Sequence, residues 1–444
     1  MKKDLTEGPI TKNIILFSLP MILGNLLQQL YNVADTFIVG KFLGANALAA
    51  VGSAYTLMIF LTSILLGLCM GSGAVFSMRY GEKNDDGLKN SIFISFILIS
   101  AITVVINILS FLFLDKILVL LKVPPEIYDM MRGYLQVIFI GISFTFLYNY
   151  FASLLRAIGD SVSPLIFLAI SAILNVVLDL YFVARLGYGV QGAAAATVIA
   201  QAVSAIGILL YSMFRLDILK LKRRHMCFTR SAMNEIFQLS TLTCVQQSVM
   251  NFGILMIQGL VNSFGAGIMA AFAVAVKIDS FAYMPVQDFG NAFSIFTAQN
   301  FGANKPDRIK KGIRSALCVC TCFSLIISLI VCTFAKPLMM IFIAPHEVEI
   351  LAAGVQYLRI EGAFYIGIGC LFLLYGYYRA VKKPQMSVVL TVISLGTRVV
   401  LAYALAAIPA IGVVGIWWAI PIGWFLADAV GIAYYVKKMQ NKAI

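Results

Sequence analysis

The stretch IILFSLPMILGNLLQQLYNVADTF, Ile14 to Phe37, is almost wholly uncharged and carries one charged side chain, Asp35. About 20 mainly apolar residues are enough for a helix to cross the hydrocarbon core of a bilayer. The stretch therefore predicts a transmembrane helix. A carboxylate at the centre of such a helix costs roughly 2.5–3.5 kcal/mol on insertion scales, and residues that carry this cost usually have a function.

The rest of the chain has the same composition. Of its 444 residues 61% are hydrophobic and 12% are charged, against roughly 25% charged in soluble domains, and the mean hydropathy is +0.93. The apolar runs have helix length rather than the length of barrel strands. We expect an all-α integral membrane protein with twelve transmembrane helices. The predicted spans are 14–37, 47–78, 91–114, 134–155, 164–184, 190–214, 236–262, 268–299, 313–335, 357–380, 387–408 and 412–436.

The basic residues that give the chain its net charge of +13 are divided unequally between the two predicted sides of the membrane. With the N-terminus inside, 24 Lys and Arg lie on the inner side and 7 on the outer side. This bias predicts a multi-pass protein of the cytoplasmic membrane with both termini in the cytoplasm. The basic charge thus indicates topology, and we expect no nucleic-acid partner.

The two halves of the chain repeat one another. FLGANALAA (42–50) returns as SFGAGIMAA (263–271), and GVQGAAAA (from Gly189) returns as GVVGIWWA (from Gly412), at a nearly constant offset. Each half holds six spans, so both enter the membrane in the same direction. We predict two six-helix, parallel-repeat lobes, with helices 1–6 in 1–214, a cytoplasmic linker at 215–234 and helices 7–12 in 235–444. Such repeats are typical of transporters.

Four polar side chains of the first half are predicted to lie at one depth. Asp35 lies about 21 residues along an outward helix, which at 1.5 Å per residue places it in the outer part of the membrane. Asp179 and Asn175 lie on one face of the fifth span, and Thr197 lies near the outer start of the sixth. Two carboxylates in a dry site do not both ionise readily, so the pair can hold a proton. Their oxygens, with those of Asn and Thr, would alternatively suit sodium.

The sequence resembles the multidrug and toxic compound extrusion (MATE) family. The resemblance is carried by LPMILGNLLQQLYNVADTFIVGKFLG, the YGEKN and FGANK turns, LRAIGD and LNVVLDLYF, and it covers nearly the whole chain. It implies two six-helix lobes around a central cavity and export of organic cations in exchange for H⁺ or Na⁺. It also implies that Asp35, Asn175, Asp179 and Thr197 form the cation-coupling site. Proton-linked bending at Pro20 is a further implication.

The repeat provides an internal control for this site. Asp35 matches Met256, Asn175 matches Arg398 and Asp179 matches Ala402. The fold therefore does not need carboxylates at these positions, which favours one coupling site, in the first lobe.

A second candidate set comprises residues that would contact the exported compound. Polar groups within apolar spans make a candidate substrate cavity, whose members are Gln28, Tyr31, Gln247, Asn251, Asp279, Asp288 and Glu361. The charged groups of the second half have an equally good structural interpretation, in which Lys277 pairs with Asp279 or Asp288 and Arg398 pairs with Glu361.

We expect an antiporter that exports amphipathic, often cationic compounds through the bilayer, with H⁺ or Na⁺ as coupling ion. We expect no cofactor, no metal beyond Na⁺ and no obligate protein partner. The alternatives are a flippase for lipid-linked precursors and, more remotely, a membrane enzyme. The chain has no metalloprotease, serine-nucleophile or P-loop motif to favour an enzyme.

Overall fold

A computed structural model describes residues 3–121 and 123–440. Almost all of these residues are helical, and none of them forms a strand. The helices are α1 Ile10–Leu43, α2 Ala45–Gly81, α3 Asp85–Leu112, α4 Leu114–Leu120, α5 Pro125–Ala157, α6 Val162–Asp179, α7 Gly189–Arg215, α8 Arg230–Asn262, α9 Ala266–Gly302, α10 Pro306–Met340, α11 Val348–Gly362, α12 Tyr365–Ala380, α13 Pro384–Ala406 and α14 Val413–Gln440.

The predicted spans are confirmed, with one correction. In the described residues, eleven helices are long and apolar enough to cross a membrane, and α11 with α12 makes a twelfth span that is bent by 52°. The tenth predicted span, 357–380, is therefore not one straight helix. It breaks at Gly362, where an added Cβ would lie 3.2 Å from Val331 of α10. Glycine disfavours a continuous helix and permits this close packing.

The backbone confirms the internal repeat. At four turns a positive φ recurs at matched positions of the two halves, where only glycine or a tolerant polar residue fits readily. The pairs are Gly44 (84°) with Gly265 (96°), Lys83 (55°) with Asn304 (54°), Gly159 (89°) with Lys382 (58°) and Gly189 (62°) with Gly412 (54°).

The first compact unit is built on Leu19–Cys244. Small residues let α2 approach the beginning of α8, since a Cβ on Gly67 would lie 2.5 Å from the Cys244 Cα. The Ser72 and Ser240 hydroxyls also lie 2.9 Å apart across the two helices. Close approach of backbones and polar contacts hold helices together where lipid competes for apolar surface.

The second compact unit combines Leu5–Ser18 with the chain from Val245 onward. The Arg308 guanidinium donates to the carbonyls of Leu5, Glu7 and Gly8 and so holds the N-terminal segment. These units differ from the predicted lobes 1–214 and 235–444, because the start of α1 packs in the second unit and the start of α8 in the first. That 1–214 and 235–444 act as the two lobes of a transporter stays a prediction.

The predicted linker, 215–234, is a short segment attached to the first unit. Asn90 donates to the carbonyls of His225 (2.9 Å) and Cys227 (2.7 Å), and Arg224 forms an ion pair of 2.9 Å with Asp86. Two 3-10 turns occupy it, and α8 already begins at Arg230. The linker therefore shortens to the residues before Arg230.

Candidate functional site

Three helices of the first unit bring the four predicted coupling residues together. Asp35 lies on α1, Asn175 and Asp179 on α6, and Thr197 on α7. Asp179 is fully buried and Asn175 is 2% exposed, while Asp35 and Thr197 are half-buried. The Asn175 Nδ2 donates to the Thr197 hydroxyl at 3.3 Å, and that hydroxyl donates to the Ala193 carbonyl at 3.1 Å.

The carboxyl groups of Asp35 and Asp179 lie next to each other, close enough to interact electrostatically. Four buried oxygens of this group have no hydrogen-bond partner among the described residues: Asp35 Oδ1, Asn175 Oδ1 and both carboxylate oxygens of Asp179. A buried acceptor without a donor costs free energy. The group therefore presents several oxygen acceptors, and no Lys or Arg of the described chain lies beside them. This donor set fits a proton or a hard cation, which takes oxygen ligands.

The end of α6 is irregular beside this group. A π-helical turn, Leu180–Arg185, follows Asp179 directly. Such turns are rare and occur mainly at functional sites. The sequence predicts a continuous span here, because apolar composition does not distinguish a π turn from an α turn.

Tyrosines surround the Asp35 and Asp179 carboxyls. Tyr31 contacts Gln28 and lies close to Asp35 and Tyr55, and the buried Tyr134 lies close to both aspartates. Sequence reasoning assigns Gln28 and Tyr31 to the substrate cavity; the structure places Tyr31 near the Asp35 carboxyl, with Gln28 as its partner. Sequence reasoning misses Tyr134.

A second buried carboxyl pair lies in the second unit. Asp279 of α9 is 5% exposed, and Glu361, in the last turn of α11 before the bend, is 1% exposed. Their side chains interact with one another, with Arg398 of α13 and with Tyr365 of α12. The Arg398 guanidinium is thus a cationic side chain of the protein that lies near Asp279 and Glu361.

The two units place tyrosine in the same way. Tyr357 lies beside Glu361 and Asp279, and it matches Tyr134 when the two halves are aligned. A tyrosine retained at both positions is the signal that could have identified Tyr134 from the sequence.

The remaining predicted residues are distributed over α8 and α9. Lys277 is exposed, and its spacing of two positions from Asp279 puts the two side chains on different helix faces. Of the predicted pairings, the proximity of Arg398 to Glu361 is supported. Asp288 is buried further along α9, and Gln247 and Asn251 lie on α8.

Pro20 lies well inside α1, which begins at Ile10. In a helix interior a proline removes one backbone hydrogen bond and permits a bend. Pro20 follows closely on Ser18, the last residue of α1 that belongs to the second unit. Bending at Pro20 during transport stays a prediction.

Comparison with known proteins agrees with this architecture. The model of the MatE family matches residues 20–181 and again residues 243–404. The chain belongs to the MATE family. The two matches cover corresponding parts of both halves, as expected for a repeat, and they identify the protein as a multi-pass membrane transporter of a multidrug efflux family.

Similar MATE proteins extend over almost all of the chain. The probable multidrug resistance protein YpnP of Bacillus subtilis is 30% identical over 97% of this chain and 96% of its own length. A protein of Shewanella oneidensis named as an FAD transporter is 25% identical over 98% of this chain and 95% of its own length. A transporter of the MOP superfamily from Pyrococcus furiosus has the same fold, with a TM-score of 0.92, 23% identity and coverage of 98% and 97%.

Proposed function

We propose that this MATE protein is an antiporter that couples inward movement of H⁺ or Na⁺ to export of amphipathic, often cationic compounds. The observation that supports it is the group of four buried oxygen atoms of Asp35, Asn175 and Asp179 that have no hydrogen-bond partner among the described residues. The second half replaces these residues by Met256, Arg398 and Ala402. The fold therefore does not require the group, which favours a functional role.

Coupling follows from the charge of the pair. Without a cation, two adjacent buried carboxylates repel one another, and a bound proton or sodium ion removes that repulsion. The cation can drive transport only if it binds one arrangement of the transporter better than the other. Asn175 and Thr197 would orient the site, because the amide donates to the Thr197 hydroxyl and leaves its oxygen available.

Both coupling ions are compatible with the donor set. A carboxyl pair can share a proton, and the amide and hydroxyl oxygens can complete a shell for sodium. The excess of Lys and Arg at one end of the helices favours a cytoplasmic location of both termini. The terminal residues 1–2 and 441–444 lie outside the described part of the chain.

The cargo is less well constrained than the coupling site. One relative is named as an FAD transporter, so an anionic compound is a second cargo class to test. A flippase for lipid-linked precursors stays the alternative among transporters. An enzyme is disfavoured, since the named relatives are transport or resistance proteins.

The test is dye efflux from proteoliposomes, driven separately by a pH gradient and a sodium gradient. We expect at least one gradient to accelerate efflux, and Asp35→Asn to reduce that acceleration by at least about tenfold, within the usual range of coupling between sites. Asp115→Asn, at an exposed carboxylate, is the matched control. Efflux that responds equally to the gradients in wild type and Asp35→Asn would refute the proposed site, provided that both proteins elute as folded species.

A further inference from the structure

A basic, aromatic cavity lies at one end of the second unit, where the ends of α9, α12 and α14 meet the beginnings of α10 and α13. Its volume is about 820 Å³. Four lysines line it, Lys305, Lys310, Lys383 and Lys438, together with four tyrosines, and none of its lining residues is acidic. The site is separate from both carboxyl groups and plays no part in the proposed coupling.

The lysines concentrate positive charge in this cavity. The Lys383 ammonium lies 3.4 Å from the Tyr434 hydroxyl and 6.0 Å from the centre of its ring, and it is adjacent to Lys438. Lys305 donates to the neutral carbonyl of Thr6 at 2.9 Å. Ammonium groups held together repel one another, so an anion between them would be favoured.

Two further charged side chains of the described residues, Arg314 and Asp307, stand close to the lining residues. Arg314 lies close to Tyr435 and adds to the positive charge. Asp307, in the first turn of α10, is exposed and does not line the cavity.

The matching end of the first unit is built differently. When the two halves of the sequence are aligned, Asp160 matches Lys383, and Leu154 and Leu155 match Tyr377 and Tyr378. There the Ser163 hydroxyl lies 2.6 Å from the Asp160 carboxylate and 3.1 Å from the hydroxyl of Tyr211, the counterpart of Tyr434. At this position the first unit thus pairs the Asp160 carboxylate and the Tyr211 hydroxyl with a side chain of its own, Ser163. The lysine and tyrosine set is not a requirement of the fold.

We propose that this cavity binds the phosphate headgroup of an anionic phospholipid of the cytoplasmic leaflet. The excess of Lys and Arg places this end of the helices at the cytoplasmic surface. Tyrosine is favoured at the membrane interface, and basic pockets between helices on this side suit anionic headgroups. Lysine stems would lie along the rings while the ammonium groups contact the phosphate.

The test is native mass spectrometry of the purified full chain in detergent, with phosphatidylglycerol and phosphatidylcholine of identical acyl chains. We expect wild type to retain phosphatidylglycerol preferentially. Lys383→Gln with Lys438→Gln should weaken that retention at least about tenfold, because each lysine near the surface contributes to attraction of anionic lipid. The control, Lys89→Gln with Arg215→Gln, removes the same charge from the matching end of the first unit and should change retention less than about twofold.

Equal losses in both double variants would overturn the proposal, since general basic charge would then account for binding. Unchanged retention in the Lys383 and Lys438 variant would overturn it as well. If that variant does not purify as a folded protein, Lys383→Gln alone provides the same comparison, with an expected loss of about threefold. Displacement of phosphatidylglycerol by millimolar inorganic phosphate would show that the ligand is free phosphate, and would overturn the assignment to lipid.

Discussion

Each unit buries a pair of carboxyl groups, and among the described residues a cationic side chain, Arg398, lies beside the pair of the second unit while none lies beside the pair of the first. In the first unit, Asp35 and Asp179 share their site with the neutral amide of Asn175. In the second, Asp279 and Glu361 lie beside Arg398. Arg398 and Asn175 occupy the same position of the repeat. The acids themselves stand at different positions of the repeat, so the two halves place a carboxyl pair on different residues and differ at position 175/398 in the side chain beside it.

This difference suggests distinct roles for the two pairs. A fixed guanidinium cannot leave, since it is part of the chain and remains charged at any physiological pH. Under the proposed function, the pair in the first unit obtains its counter-charge from solution, as an exchangeable proton or sodium ion. We expect the first pair to respond to ion gradients and the second, with Arg398 nearby, to respond less.

Asn175→Arg should have the largest effect, because it gives the first pair a cation of its own. We expect gradient-driven efflux to fall more than about tenfold, since an external cation no longer gains by binding. Efflux from proteoliposomes measures this. Asn175→Leu, which removes the amide without adding charge, is the control and should retain part of the activity. An Asn175→Arg protein that responds to gradients like wild type would break the comparison.

Arg398→Asn makes the reverse change. It leaves Asp279 and Glu361 without their nearby cation, and we expect the free energy of unfolding to fall by on the order of 2 kcal/mol at neutral pH. The loss should diminish at lower pH or on addition of sodium, since protonation or a bound ion would neutralise the pair. Thermal unfolding at several pH values measures this. Arg359→Asn, at an exposed arginine, is the control, and an equal loss at all pH values would contradict the interpretation.

Asp115→Asn should have the smallest effect. The Arg132 guanidinium donates to this carboxylate at 2.7 Å and holds the pKa of Asp115 below its usual range. The contribution is therefore present at neutral pH and lost as the pH falls below the ordinary carboxyl range. Because the pair is exposed, solvent weakens it. Thermal unfolding and efflux should both match wild type at neutral pH, and a clear loss of either would show that exposed charges matter more than we infer.

The sequence is sufficient to predict the spans and the depth of the first site. Apolar run length marks a membrane helix, and helix rise alone places Asp35 and Asp179 at similar depth. The rotation of each helix is not available from depth. For this reason the sequence does not reveal that Tyr134 lies near the two aspartates. It predicts that Arg398 pairs with Glu361, but not that Arg398 also lies near Asp279.

The bend between α11 and α12 could not be predicted for a related reason. Its position depends on packing of Gly362 against Val331, which belongs to the preceding helix, α10. Hydropathy reports polarity along the chain and carries no information on such a contact. The same holds for the start of α8, which packs in the first unit although the repeat assigns it to the second half.

The most direct measurement compares two charge-neutralising substitutions in one efflux experiment, under a pH gradient and then under a sodium gradient. Asp35→Asn alters the pair that lacks a cation, and Glu361→Gln alters the pair that has Arg398. We predict that Asp35→Asn abolishes the response of efflux to the driving gradient and that Glu361→Gln retains it. A retained response in Asp35→Asn together with a lost response in Glu361→Gln would contradict the assignment of coupling to the first unit.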